Sequence, residues 1–446
     1  MRRRILVLAA TACFMGINMA PTLATDAPTT APSTRPAPKE LSEAAHKALA
    51  WLVGRQQPSG AWGQGDESSE MGNGLANISA TPNVADTCMA VMALYRAGST
   101  PTTGLYKDAV YKAVNFVCEQ IEKSDADSLY ITELRGTRTQ MKLGTYIDTF
   151  FAAQMLSELK SHMPTDGASK RVNDALAKVI HKIEKNQQAN GQWANQGWAP
   201  TLAQAAAAKS INVAAANGVV VDEQVRQRAE QYAQADFRGA NSAGGGGVAV
   251  ATPGISGVAT DSSILTARPY SGPVGGSGGD AGVKLYSSGS QIAAMQASKS
   301  VNDSRRAQYE DLAKSPTTSP AQRKEAADMI ARFDAVDKDL ADAQQQVVAN
   351  AGDGRFIAGF GSNGGEEFLS YLNIGESLYA AGGEAWSKWD DRTTDNLVKV
   401  QNDDGSWSGS HCITGRTFCT SAALMVLTID RSAALAAPNG AHAGAR

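Results

Sequence analysis

Three tryptophans, each set behind a glycine, constrain this chain more than any other feature. The stretch "KALAWLVGRQQPSGAW", residues 47–62, closes an amphipathic segment with Gln56, then Gly60, then Trp62. The same order returns as Gln187, Gly191 and Trp193 in "KVIHKIEKNQQANGQW", and as Gln401, Gly405 and Trp407 in "NLVKVQNDDGSW". An aliphatic residue sits eight before each glycine: Leu52, Ile183 and Leu397. The unit reads as the end of a helix, a glycine turn and a tryptophan after it. Three coincidences at one spacing are improbable, so the chain is a repeat and its fold must accommodate one.

Between the copies two kinds of helix alternate. One kind is amphipathic, as in "GLYKDAVYKAVNFVCEQIEK", where Val110, Val114, Val117 and Ile121 fall at helical spacing. The other is small and nearly free of charge, as in "ADTCMAVMALYRAG", "TLAQAAAAKSINVAAANG" and "TGRTFCTSAALMVLTI". A helix that is apolar or small all round is buried on most sides, which predicts an all-α protein with an outer layer wrapped around an inner one. Outer helices are expected near 41–57, 105–123, 169–188, 222–236, 322–349 and 387–402, and inner ones near 84–97, 143–160, 201–217, 283–298, 366–381 and 415–429. Six such pairs predict a closed double ring in which 84–97 packs against 415–429. The alternative, an open superhelix, leaves an apolar inner face exposed at both ends.

With Lys47, Ala48, Trp51, Leu52, Gln56, Gly60 and Trp62 in place, the first copy resembles the Gln-Trp repeat of the prenyltransferase and squalene-cyclase superfamily. The other two match from the aliphatic residue onward, with Lys182 and Asn396 where Trp51 stands. The resemblance covers roughly residues 40–430 and implies an α/α toroid, in which Gln caps a helix and Trp stacks on the turn. It speaks to fold more than to chemistry.

The rest of the chain frames this domain. "MRRRILVLAATACFMGINMA" has the charged start and short apolar run of a secretory signal peptide, with cleavage expected after Ala24. Export to the periplasm or the extracellular space is therefore expected. Residues 25–39, "TDAPTTAPSTRPAPK", read as a solvated tether, and 431–446 as a disordered tail. Residues 238–282 are a glycine-rich insertion too poor in large apolar side chains to pack a core. Residues 301–350 read as an elongated helical hairpin that carries the fifth outer helix, its narrow stripe made by Met329, Phe333, Val336 and Leu340. Without Arg2, Arg3 and Arg4 the 41 basic residues fall to 38 against 44 acidic ones, a poor balance for binding nucleic acid or anionic lipid. Nothing after the first segment is long and apolar enough to span a bilayer.

Several chemistries of the superfamily are missing their residues. There is no D-x-D-D acid motif for cyclisation, and the chain is only 6% aromatic, against the aromatic-lined cavities of terpene cyclases. "WDDRTTD" (Asp390, Asp391, Asp395) sits on an outer helix with the wrong spacing for a diphosphate–magnesium motif. The Cys-Gly-Glu-Gln motif of thioester domains is absent, as are G-x-S-x-G, H-E-x-x-H and a phosphate loop. The zinc site of the protein prenyltransferases has a partial counterpart. "VADTCMAVMAL" supplies Asp86-x-Cys88 and "SHCITGRTFCTSAAL" supplies His411 and Cys419, so Asp86, Cys88, His411 and Cys419 form a possible zinc set. Arg416, however, stands where the family has its histidine. The competing readings are a disulfide, Cys88–Cys419 or Cys412–Cys419, or small buried thiols.

In such a toroid the inner helices run parallel and their N-termini converge on one mouth. Those termini carry Asp86, Tyr146, Asp148, Gln204, Glu366, Glu367, His411, Thr414, Arg416 and Thr417. Many are ordinary caps. Arg416, entering a helix of small residues, needs a partner if buried, and Asp86 and Glu367 are the natural ones. The reading is an exported, monomeric toroid holding a small-molecule, lipid or glycan ligand at its mouth. The alternative is a divergent enzyme, a lyase, hydrolase or transferase on an isoprenoid-like substrate, using Asp86, Asp148, Glu367, His411 and Arg416, with Glu366 beside them.

Overall fold

The three glycine turns show why the repeat exists. In each, the backbone must pass through the left-handed region: φ is +86° at Gly60, +87° at Gly191 and +88° at Gly405. In each, the tryptophan indole N–H donates back to the carbonyl of the aliphatic residue ten before it, at 2.7 Å to Leu52, 2.8 Å to Ile183 and 2.8 Å to Leu397. The glutamine amide then makes two bonds. One closes its own turn on the carbonyl of Gly60, Gly191 or Gly405. The other reaches the first turn of a different helix, on the carbonyl of Ala109, Val225 or Ala44. The tryptophan backbone N–H is taken by Thr87, Gln204 or Thr420 from a buried helix. Each copy is a three-way joint that uses up the polar groups a helix end leaves over.

The computed structural model describes residues 38–67, 78–195, 197–243, 283–360 and 363–432. The expected signal peptide lies outside them, as do nearly all of the tether and the tail and residues 244–282 of the glycine-rich insertion. Among the described residues the protein is all-helical, without a strand. The helices are α1 (Glu43–Gly54), α2 (Val84–Arg96), α3 (Lys107–Lys123), α4 (Arg138–Lys142), α5 (Ile147–Leu159), α6 (Asp166–Lys185) and α7 (Pro200–Ala216), followed by α8 (Glu223–Ala243), α9 (Lys284–Lys314), α10 (Pro320–Asn350), α11 (Gly354–Ile357), α12 (Gly365–Ala381), α13 (Gly383–Lys399) and α14 (Arg416–Val426).

Burial separates them as the patterning predicts. α2, α5, α12 and α14 are buried on nearly every side, whereas α3 buries one stripe, Ala109, Val110, Ala113, Val114, Val117, Cys118 and Ile121. The buried helices pack in succession: α2 on α5, α5 on α7, α7 on α9, α9 on α12, α12 on α14, and α14 on α2. Residues 84–97 and 415–429 are therefore neighbours despite their separation in the chain. The amphipathic helices lie against them, α3 on α2, α6 on α5, α8 on α7 and α9, α10 on α9, α13 on α12, and α1 on α14. Each fully buried aliphatic side chain on these stripes stabilises the fold by roughly 1.5–3 kcal/mol.

Two elements differ from expectation. The fourth inner helix and the start of the hairpin are one unbroken helix, α9, because no glycine or proline interrupts residues 290–314. α8 continues to Ala243, past the expected end at 236. The hairpin α9–α10 is docked by its stripe, with Phe333, Val336 and Leu340 buried, and by ions: Arg332 pairs with Glu230 at 2.5 Å and Arg305 with Glu223 at 2.6 Å.

Candidate functional site

Four carboxylates stand in the first turns of the buried helices, and none is an ordinary cap of its own helix. On α2 the cap is Asn83, whose side chain accepts the Asp86 N–H at 2.9 Å. Asp86 itself is completely buried, and among the described residues neither of its oxygens has a hydrogen-bond partner of good geometry. Burial pushes its carboxyl up to about 7, with Asp148 and Glu67 adding to the effect, while the nearby Asn83 amide and Phe418 backbone N–H temper it. Asp148, on α5, caps its neighbour instead: one oxygen accepts the Ala85 N–H of α2 at 2.9 Å, the other the Gln140 amide at 2.7 Å. Burial raises its pKa as well. Close by is a buried ion pair absent from the sequence reading, Glu67 with Arg138, bidentate at 3.0 and 2.5 Å.

The second group is on α12. Glu366 and Glu367 are adjacent and both fully buried. Glu366 accepts the Ile413 N–H at 3.0 Å through Oε2, and Oε1 has no hydrogen-bond partner among the described residues. Burial, and then the neighbouring Glu367, push it up to about 8, so it is largely a neutral acid at pH 7. Glu367 accepts from the Phe360 N–H at 3.0 Å and from the Tyr286 phenol through Oε1, while His411 Nε2 lies 3.5 Å from Oε2. Its pKa is raised by burial, against the opposing pull of His411. Trp198, Phe360 and His411 form a lip of rings, with centroids 5.4 Å apart for Trp198–Phe360 and 5.3 Å for Phe360–His411. Phe360 is 53% exposed, so this lip reaches solvent. The Lys142 ammonium lies 5.4 Å over the Trp198 ring and is close enough to Glu366 to lower its pKa. At the base, Cys412 takes a left-handed backbone with φ +56°, unusual for a residue with a side chain, and burial pushes its thiol up to about 12.

The expected single cluster is divided. Arg416 joins neither Asp86 nor Glu367. As the first residue of α14 its cation sits at the unfavourable positive end of the helix and swings outward. There it pairs with Asp404 at 3.0 and 3.2 Å and lies 5.7 Å over the Trp51 ring. Cys88, Cys118, Cys412 and Cys419 are all free thiols, so neither expected disulfide is formed. The proposed zinc ligands do not gather. Asp86 and Cys88, two apart on one helix, face opposite ways. Burial above all raises the Cys88 pKa, with Asp148 and then Cys118 adding to it, whereas Cys419 donates to the Ile413 carbonyl at 3.3 Å and His411 sits on Glu367. Among the described residues no three His, Cys, Asp or Glu groups are placed to hold a metal. Gln204 and Tyr146, expected at the mouth, are engaged elsewhere, Gln204 with the Trp193 backbone and Tyr146 against Tyr130 at 4.8 Å.

A second polar layer, toward the other ends of the same helices, was not legible beforehand. Glu376 of α12 pairs with both Arg96 of α2 and Lys209 of α7. Although burial alone raises its pKa, those two cations prevail and depress it to about 2. Arg96 and Lys209 also line a cleft of about 380 Å³, open space included, whose remaining wall is mostly apolar, Met89, Phe151, Leu369 and Met425 among them. No protein-family model matches this chain, and neither the curated proteins nor the solved structures contain a significant match.

Proposed function

We propose that the chain is an exported ligand-binding protein, built as an α/α toroid of the prenyltransferase and squalene-cyclase repeat type, whose ligand sits at the mouth where the inner helices begin. Closure of the ring is supported by the succession of contacts from α2 to α14 and back, and by the joint at Gln401, Gly405 and Trp407, which grips α1. The ligand reading rests on one observation above all: Glu366 and Glu367 are buried side by side at one helix start, one with an oxygen that has no hydrogen-bond partner among the described residues, beneath a solvent-reaching lip of Trp198, Phe360 and His411. Burying two like carboxyls is costly, and carboxyls perturbed by burial beside a solvent-reaching opening are what binding and active sites characteristically hold. A protonated Glu366 can donate and the Glu367 carboxyl oxygens can accept, as they do from Phe360 and Tyr286, while the rings offer apolar surface. That combination suits a small molecule, lipid or glycan with an apolar face and a hydrogen-bonding edge.

The test is native mass spectrometry of protein purified from its own host. The wild type is expected to carry a bound mass that is lost on unfolding. The double variant Glu366→Gln, Glu367→Gln should emerge without it while keeping the wild-type circular dichroism spectrum. A wild type that carries nothing, or a double variant that carries the same mass, overturns the reading.

The 3.5 Å approach of His411 to Glu367 favours a second reading, acid–base catalysis on the bound molecule. In that case Asp86 and Asp148 act from the neighbouring helix starts, and the substrate class is open among lyase, hydrolase and transferase chemistry. His411→Gln should then retain the ligand in an unreacted form of different mass. Recovery of the identical mass from both proteins speaks for binding alone.

A further inference from the structure

Where α7, α8 and α9 meet, the packing is left unfinished. Helix contacts are normally filled by interdigitating side chains, but here the facing positions are methyls, Ala205 and Ala208 on α7, Ala229 and Ala233 on α8, and Ala294 on α9. They leave a pocket of about 370 Å³, open space included, which shares no lining residue with the carboxylate groups of the mouth. Its polar groups are not arranged as a core would arrange them. Thr201 is 7% and Ser290 5% exposed, and neither hydroxyl has a hydrogen-bond partner among the described residues. Asp236 accepts one bond, from the Gln291 amide at 2.8 Å, and makes no ion pair within the described residues. No lysine, arginine or histidine lines the pocket.

We propose that this pocket binds a small organic cation, an alkylammonium whose N–H groups are taken by Asp236, Thr201 and Ser290 and whose short chain lies on the alanine methyls. The assignment follows from what each occupant supplies. An ammonium is all donor, and the pocket offers a carboxylate and two hydroxyl oxygens to accept. Water could satisfy the two hydroxyls but leaves the carboxylate without a countercharge. An anion meets Asp236 with nothing to offset it. Burial already raises the pKa of Asp236, and a cation placed beside it removes that penalty. Trp193 and Tyr232 line the same wall and bring no positive charge to compete with a bound cation. The proposal stands apart from the function of the mouth and does not depend on it.

The experiment is isothermal titration calorimetry of the mature protein with three probes of one size: n-butylammonium, n-butanol and butyrate. Butylammonium is expected to bind, butanol at least ten-fold more weakly, and butyrate not at all. Asp236→Asn should cost butylammonium ten-fold or more and leave butanol unchanged. Ala208→Leu should fill the space and abolish both. Should Ala208→Leu fail to fold, Ser290→Ala, with an expected loss of several-fold for butylammonium, serves in its place. The proposal is overturned if none of the probes binds, which would make this a water pocket, or if alcohol and ammonium bind equally. Binding that survives Asp236→Asn also overturns it.

Discussion

At the scale of single residues, the carboxylates of this protein divide by what surrounds them, and pH separates them. Asp86 titrates near 7 in the folded protein against an ordinary 3.8. The folded state therefore holds its proton more tightly than the unfolded chain does, and stability is lost as pH rises from about 4 to about 7. Asp86→Asn should accordingly stabilise the protein by on the order of a few kcal/mol at pH 8 and by much less at pH 4, as read from urea unfolding at both. Equal effects at the two pH values would mean that Asp86 is ionised and satisfied. Glu376 behaves oppositely. Its folded value of about 2 lies below the ordinary 4.5, so its contribution is complete above 4.5 and disappears as pH falls through 2. Glu376→Gln leaves Arg96 and Lys209 buried without their shared partner and should cost roughly 3–5 kcal/mol at pH 7, shrinking toward pH 2. That Asp86, Asp148 and Glu367 stand at helix starts was readable from the sequence. Which partner each would find was not. Arg416 went to Asp404 and Glu376 to two cations on other helices, because side-chain pairing depends on distances that chain position does not encode.

At the scale of elements, the glycine turn is the joint on which the repeat depends, and its parts can be tested separately. A Cβ on Gly405 would lie 2.7 Å from the Lys47 Cβ and 2.8 Å from its backbone carbonyl on α1, so the glycine is needed for close approach as well as for its φ. Gly98 has a φ of +96° but open space around it. Gly98→Ala should thus show only the conformational cost, roughly 1–2 kcal/mol, and Gly405→Ala clearly more, in parallel thermal denaturations. Similar losses would remove the packing argument. Trp407→Ala deletes a fully buried indole and should cost roughly 3–5 kcal/mol without altering the ligand binding proposed for the mouth. Unchanged stability with loss of ligand would reverse that assignment. The joints were legible in the sequence because a turn needs particular residues at fixed offsets. Even the departure at Lys182 is intelligible afterward: in place of the aromatic it buries its stem and donates to the Ser128 and Tyr130 carbonyls at 2.7 and 2.8 Å. The run from α9 into the hairpin was misjudged, since a change from small to polar residues alters burial without ending a helix.

At the scale of the whole molecule, the two ends of the described chain hold each other. α1 packs on α14, Gln401 donates to the Ala44 carbonyl at 2.9 Å, and Lys39 pairs with Asp390 at 2.5 Å. Deleting residues 40–62 should therefore do more than trim a terminus. It exposes the buried face of α14 and strands the third joint, and the expected result is a lower urea midpoint with a reduced slope, the mark of lost cooperativity. A truncated protein that unfolds with the wild-type midpoint and slope would show that α1 is an accessory. The sequence by itself determined the all-α class, the three joints and the presence of acids at helix starts, because periodicity, turn chemistry and capping are local and act within a few residues of the chain. Only the tertiary structure decided that Asp86 has no hydrogen-bond partner among the described residues, that Glu366 and Glu367 share a buried corner with Tyr286 and His411, and that Cys88, Cys118, Cys412 and Cys419 remain free thiols. Those outcomes are set by which helices touch, and burial and electrostatics respond to contacts between residues hundreds of positions apart.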